Sequence, residues 1–291
     1  MSTGPASLPL VVTDRLAVAA SLSVMVGLTT AKGLALAAGK PLIAVNHLKG
    51  HALTARLTHG VDFPFLLLLA SGGHCQLLGV GGTDDFRLYG TTIDDAVGEA
   101  FDKAAKILGL PYPGGPALEA AAKGGNPKAF DLPRPLVRGH NARAGADFSF
   151  SGLKTALRLL VQRQNEVPLA DACASFQAAV IDILTDRCGA AMAMFARDFP
   201  DAAQNVLVMA GGVAANQAIG EALHRLAGQK NFQVRIPPPR LCTDNAAMIA
   251  WAGLEMLASG GEENTPDTSL SDTSLAVSPR ARWPLASGNP R

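Results

Sequence analysis

Apolar and polar positions along the chain alternate between two periods, and the changes of period mark the elements. Ser23 to Ala38 carries apolar residues at helical spacing and ends at Gly39, a residue suited to the left-handed position that closes a helix. Pro41 to Val45 is a short apolar run, which reads as a buried strand. A helix is predicted from His47 to Leu57. Phe65 to Ala70, Cys75 to Val80 and Phe86 to Thr91 read as three short strands, with Ser71-Gly72-Gly73 and Gly81-Gly82 as turns. Val97, Phe101, Ala104 and Leu108 then form the apolar face of a helix that starts near Asp94-Asp95 and stops at Gly109. Pro113-Gly114-Gly115-Pro116 leads into another short helix, and Gly124 to Gly145 reads as a long loop. Helices are expected over Ser151 to Arg163, Pro168 to Arg197, Ala214 to Ala227 and Asn245 to Ala258. Strands are expected over Asn205 to Met209 and Phe232 to Ile236.

Leu16 to Leu28 is apolar for thirteen residues, too short to span a bilayer, and Asp14 and Arg15 cancel ahead of it, so neither a membrane span nor a signal peptide is expected. It reads as the front of a buried helix. Beyond Ser259, Asp267-Thr268-Ser269-Leu270 and its near-copy Asp272-Thr273-Ser274-Leu275 lie in a polar tract that predicts a disordered tail over 259–291.

With 291 residues, 48% of them hydrophobic, the chain can bury a large core and suits two lobes. The net charge of +1 argues against a uniformly basic nucleic-acid coat, yet between Lys123 and Arg163 eight basic residues face only Asp131 and Asp147. Four scattered cysteines without a C-x-x-C pair point to a reduced, cytoplasmic compartment.

The candidate chemistry begins at Asn46-His47-Leu48-Lys49-Gly50-His51. Positions i and i+4 share a helix face, so both imidazoles could reach one metal ion, although such pairs also arise by chance. A zinc peptidase would need a glutamate directly after the first histidine to deprotonate the metal-bound water, and that position is Leu48. Peptide hydrolysis is therefore disfavoured.

Leu69-Ala70-Ser71-Gly72-Gly73-His74 and Met209-Ala210-Gly211-Gly212-Val213-Ala214-Ala215-Asn216 each put two glycines after a buried strand. Backbone without Cβ atoms can approach a phosphate or nucleoside and aim N–H donors at it, and the second turn also feeds a helix whose N-terminus favours an anion. Two carboxylates remain open. Spacing alone favours Asp102 as a solvated residue paired with Lys103 or Lys106, and Asp244 reads either as a helix cap or as a third ligand beside His47 and His51.

The ordered set N-H-x-x-G-H, A-S-G-G-H, D-D-A-x-G-E-A-F-D-K, Y-P-G-G-P, D-F-S-F-S-G-L-K-T, M-A-G-G-V-A-A-N and C-T-D-N-A-A-M-I-A, running from about Val24 to Ala258, resembles the TsaD family of tRNA adenosine threonylcarbamoyltransferases. The resemblance implies an α/β fold of the actin-like ATPase and sugar-kinase superfamily, two lobes around a nucleotide cleft. It implies that His47, His51 and Asp244 bind one divalent metal ion, iron or zinc. Leu69, Ala70, Ser71, Gly72, Gly73, Asp102, Gly115 and Asn216 would hold threonylcarbamoyl-AMP. The implied reaction moves the threonylcarbamoyl group to N6 of the adenosine beside the anticodon of tRNA. No membrane is involved.

Two departures qualify it. The family's amino-terminal strand-turn-strand is not recognisable, so the first lobe is expected to be truncated, spanning 1–64 and completed by the helix at 245–258, with 65–244 as the second lobe. That predicts weakened catalysis and weakened pairing with the protein partners of the bacterial threonylcarbamoylation machinery, the alternative being an inactive nucleotide- or metal-binding remnant. Lys49 stands where the family usually has an acidic residue, and would oppose a metal if its side chain pointed inward.

Overall fold

The computed structural model describes residues 10–14, 20–137, 143–163, 166–259, 277–279 and 283–286. In chain order its elements are β1 (Leu10–Asp14), α1 (Ala20–Ala38), β2 (Leu42–Asn46), α2 (His47–His59), β3 (Phe65–Ala70), β4 (Cys75–Val80), β5 (Phe86–Thr91), α3 (Val97–Ile107) and α4 (Gly114–Ala122). There follow α5 (Ser151–Arg163), α6 (Leu169–Asp198), β6 (Val206–Ala210), a 3-10 turn at Gly212–Ala215, α7 (Gln217–Gln229), β7 (Gln233–Arg235), α8 (Pro239–Cys242) and α9 (Ala246–Ala258). The fold is α/β, as expected.

Five strands make the main sheet in the order β5-β4-β3-β6-β7. β3, β4 and β5 form an antiparallel meander, while β6 lies parallel to β3 and β7 parallel to β6. Both faces are covered, which is why β3 reads FLLLLA without alternation. Leu66 and Leu68 join a core with Phe101 of α3, Leu118 of α4, Leu153 of α5, and Phe176 and Ile183 of the 30-residue α6. Phe65, Leu67 and Leu69 point the other way, against Leu48, Ala52 and Ala55 of α2.

A second, two-stranded sheet pairs β1 parallel to β2. Ile43 and Val45 of β2 pack with Leu53 of α2 and with Met248, Ile249, Ala252 and Met256 of α9. α2 is thus enclosed between the two sheets, and its first nine residues, His47 through Ala55, are all buried.

Several expectations are corrected. β1 was not anticipated. The apolar stretch entering α1 is not buried all round: Leu28, Ala31 and Ala35 pack on Leu42, whereas Met25, Val26, Leu34 and Leu36 are more than half exposed. The helix expected from Ala214 begins at Gln217, because the chain first makes the 3-10 turn. Of the expected tail, Leu285 and Ala286 pack against the α2 face of the main sheet and Val277 against α1, and Asn46 Nδ2 donates to the Trp283 carbonyl at 2.7 Å; 260–276 lie outside the described residues.

Candidate metal centre and substrate cleft

The chain enters α2 directly from β2. Asn46 stays extended, and its side-chain oxygen accepts the Leu48 N–H at 2.9 Å, a cap that sets the first turn. That cap aims His47 and His51 along one face. Across 193 residues, Asp244 is brought to them at the entry of α9: its Oδ1 is 3.0 Å from His47 Nε2 and 3.1 Å from His51 Nε2. The rings meet edge to face with centroids 4.8 Å apart. The helix cap is not Asp244 but its neighbour, since Asn245 Oδ1 accepts the Met248 N–H at 2.9 Å.

What brings the two helices this close is Gly50. A Cβ there would lie 2.9 Å from Ile249 Cδ1 and 3.2 Å from Met248 Cγ, so α9 packs against bare backbone between the two histidines. Farther along, Arg56 Nε donates to Glu255 at 2.8 Å and its guanidinium stacks 4.0 Å from the Phe63 ring centroid.

Two imidazoles and a carboxylate form a donor set of the kind that zinc and iron accept. An ion bound at about 2.1 Å with ligands near right angles would separate its donors by roughly 3.0 Å, matching the two distances, which also suit hydrogen bonds. Among the described residues the buried Nδ1 atoms of both rings have no hydrogen-bond partner, and the polar contacts of each imidazole lie on its Nε2 side. The three residues could hold a metal ion. Two residues before Asp244, Cys242 is buried, and its Sγ–H donates to the Pro237 carbonyl.

Lys49 does not oppose this centre. Two residues from each histidine, it leaves the opposite side of α2, and its Nζ donates to Asp84 in the β4–β5 turn.

The two glycine turns lie side by side because β3 and β6 are parallel neighbours, with Leu69 opposite Ala210. Both strands therefore release their turns at the same sheet edge, the carboxyl side where open α/β sheets form ligand crevices. Gly211 lies against this junction: a Cβ there would be 2.4 Å from the Ala70 carbonyl oxygen, and its φ is +94°. Gly98 of α3 approaches as closely, with a virtual Cβ 2.7 Å from the Ser71 carbonyl, and its N–H donates to that oxygen at 3.2 Å. Gly72, Gly73, Gly115 and Gly212 have nothing within 4 Å of a virtual Cβ and border open space. The glycines thus divide into those that pack the turns together and those that leave room.

One turn along α3 from Gly98, Asp102 receives the Gly114 N–H on Oδ1 at 2.8 Å. It pairs with neither Lys103 nor Lys106 as spacing suggested; Lys103 instead bridges Asp95 and Glu99. Asp102 ties α3 to the start of α4, beside Gly115. Asn216 Oδ1 caps α7 by accepting the Ile219 N–H at 3.0 Å, and Asn216 Nδ2 donates to Gln177 of α6 at 3.1 Å. Glu119 Oε1 accepts the Gln217 N–H at 2.8 Å. The N-terminus of α7 is thus already engaged by protein oxygens, which weakens the expectation that it receives a substrate anion.

Sequence reasoning missed the roles of Gly98, Gly211 and Glu119. The signal for the first lay in D-D-A-x-G-E, where a glycine interrupts a helix start. Asp94 and Asp95, read as the start of a helix, lie ahead of it and do not cap it, since α3 begins at Val97 after Ala96; their carboxylates act elsewhere. Asp94 accepts from Ser149 Oγ, Phe150 N and Ser151 Oγ and so holds the entry of α5. Asp95 takes Lys103 and Lys154 at 2.8 and 2.9 Å.

A family model described as TsaD: tRNA N6-adenosine threonylcarbamoyltransferase matches residues 20–251. The chain belongs to that family. Relatives bearing the name tRNA N6-adenosine threonylcarbamoyltransferase include those of Rhizobium meliloti (strain 1021), 55% identical over 90% of this chain and 70% of the relative, and of Brucella anthropi, 57% identical with the same coverage. The Methylocapsa acidiphila relative is 55% identical over 90% of this chain and 71% of its own. Among solved structures, the crystal structure of T. kodakarensis HypF superposes with a TM-score of 0.58 at 15% identity, covering 84% of this chain and 40% of that one, a likeness of fold alone. No helix of the described residues is long and apolar enough to cross a membrane.

Proposed function

We propose that this chain transfers a threonylcarbamoyl group from threonylcarbamoyl-AMP to N6 of the adenosine beside the anticodon in tRNA, in the cytoplasm and with the protein partners of the bacterial threonylcarbamoylation machinery. The observation that carries the reading is the family match over 20–251, with relatives of that name 55–57% identical. We assign one divalent ion, iron or zinc, to His47, His51 and Asp244, and the adenylate to Leu69–Gly73, Asp102, Gly115 and Asn216. The lobe division follows the two sheets: 1–64 with 245–258, and 65–244.

In the reaction the N6 lone pair attacks the carbamoyl carbon, a C–N bond forms, the bond to the phosphate oxygen breaks, AMP departs and the amine loses a proton. A bound divalent cation would offset the charge on the departing phosphate. The chain's own part is positioning. Ser71 Oγ accepts the His74 N–H at 3.1 Å and holds the first glycine turn in shape, leaving Gly72 and Gly73 open for close approach. Asp102, fixed by Gly114, would accept from substrate hydroxyls. Of the eight basic residues between Lys123 and Arg163, those offered to tRNA phosphates are Lys123, Lys128, Arg143, Arg158 and Arg163, which are exposed, whereas Arg134 is spent on Asp182 with its side chain 11% exposed and Lys154 on Asp95; Arg138 lies outside the described residues.

The test is a single-turnover assay with purified adenylate and unmodified tRNA, reading the modified nucleoside by mass. Product that requires Asp102 and His51 supports the reading. Product formed equally by Asp102→Ala and His51→Ala variants would sink the assignment of the sites.

A further inference from the structure

Lys49 and Asp84 make an ion pair of unequal burial: the lysine side chain is 9% exposed and the carboxylate 51%. A buried ammonium tolerates no loss of its partner, whereas a half-exposed carboxylate can be rehydrated. The pair joins α2 to the β4–β5 turn, two residues from each histidine. It also reaches α9: Thr83 Oγ1 donates to Asp84 Oδ2 at 3.3 Å and meets Ser259 Oγ at 3.0 Å, and Ser259 is the C-cap residue of the helix that Asp244 precedes. One short turn, Thr83-Asp84, thus touches α2, which carries the two histidines, and the C-terminal end of α9, the helix whose other end Asp244 precedes.

We propose that Lys49 and Asp84 are positioning residues, the anchor that fixes where along its groove α2 presents His47 and His51 to Asp244. The inference rests on the reading that these three residues hold a divalent ion. Asp244 meets both imidazoles on the Nε2 side, but among the described residues no hydrogen bond holds their Nδ1 sides, so their presentation depends on where α2 is placed. In most metal sites an outer hydrogen bond to the second ring nitrogen does that work. Here the work passes to the opposite side of the helix. A lysine at this position serves the site by pulling away from it, and its charge is cancelled by Asp84 instead of being added to the metal's.

The experiment uses the full chain and cobalt(II) as probe, with three variants: Lys49→Met, Asp84→Asn and the two combined. Metal-free thermal melts are read by circular dichroism, and cobalt affinity and its visible d–d spectrum by titration. Asp84→Asn is expected to lower the melting temperature most, since it leaves a buried cation unpaired. Lys49→Met and the double variant should melt close to the parent, because an apolar side chain of similar size fills the slot. Yet both should bind cobalt on the order of tenfold more weakly, with an altered spectrum, as loss of an outer support does elsewhere. Parent-like affinity and spectrum in a well-folded double variant would overturn the proposal and leave the pair a structural contact. If Asp84→Asn fails to fold, the other two variants still decide. Failure of the parent to bind cobalt, or equal binding by a His47→Ala variant, would instead remove the metal reading and the anchor with it.

Discussion

Gly211 and Gly50 sit in the two candidate site regions, and the atoms crowding them differ. At Gly211 the neighbour is backbone, the Ala70 carbonyl of an adjacent strand, held by the β3–β6 hydrogen-bond ladder. At Gly50 the nearest neighbours are side-chain atoms, the end of Ile249 and the Cγ of Met248, which can turn, with the Met248 carbonyl oxygen farther off at 3.5 Å. The glycine turns are framed by a sheet, and the metal candidates by two helices lying against each other. A sheet edge permits no small adjustments; a helix pair does. The two regions should therefore answer the same insult unequally.

The largest effect is expected from Gly211→Ala. The added carbon meets a carbonyl oxygen at 2.4 Å and must adopt φ +94°, so strain and overpacking together should cost about 4 kcal/mol in denaturant unfolding. A loss below about 1 kcal/mol would mean that the turns are not locked together. Gly50→Ala sharpens the contrast. Helix propensity returns up to about 1 kcal/mol against an overpacking cost of about 1–3, leaving a net loss near 1 kcal/mol. Its clearer signature should be weakened cobalt binding, because α9 and Asp244 move away from the histidines.

Asn216→Ala should cost about 1 kcal/mol, the usual worth of a helix cap, measured by the same unfolding curves. The smallest effect concerns Asp95. Burial pushes its carboxyl up, but the ammonium groups of Lys103 and Lys154 outweigh that and hold it below the ordinary value of 3.8. A depressed pKa stabilises the fold above the unfolded-state value and is lost as pH falls through the folded one. Parent and Asp95→Asn melting temperatures should therefore differ at neutral pH and converge below about pH 3.8. Parallel curves down to acid would show that the two lysines do not depend on Asp95.

Much of this architecture was legible from residues. β3, β4 and β5 were bounded correctly because glycine turns and apolar runs make abrupt edges there. β1 was not, since a strand of five residues gains its identity from a parallel partner 32 positions away, which no local pattern announces. The histidine pair was visible because helical spacing is local; the choice between Asp244 and Asn245 as cap was not, because it turns on how the chain enters α9. Asp102 misled for a related reason. Its lysine neighbours suggested a solvated pair, while its true partner is a backbone N–H twelve residues on.

The enclosure of α2 has a consequence for motion. Residues His47 through Ala55 are all buried, with Leu48, Ala52 and Ala55 packed on the main sheet and Leu53 on the small one, so exposing its amides should require one core or the other to open. Hydrogen exchange should then find this helix among the slowest segments of the molecule, while α1, apolar yet open along one side, exchanges early. If so, the histidines ride on one of the last elements to let go during unfolding, and any motion of the chain around them must bend it somewhere other than beneath them.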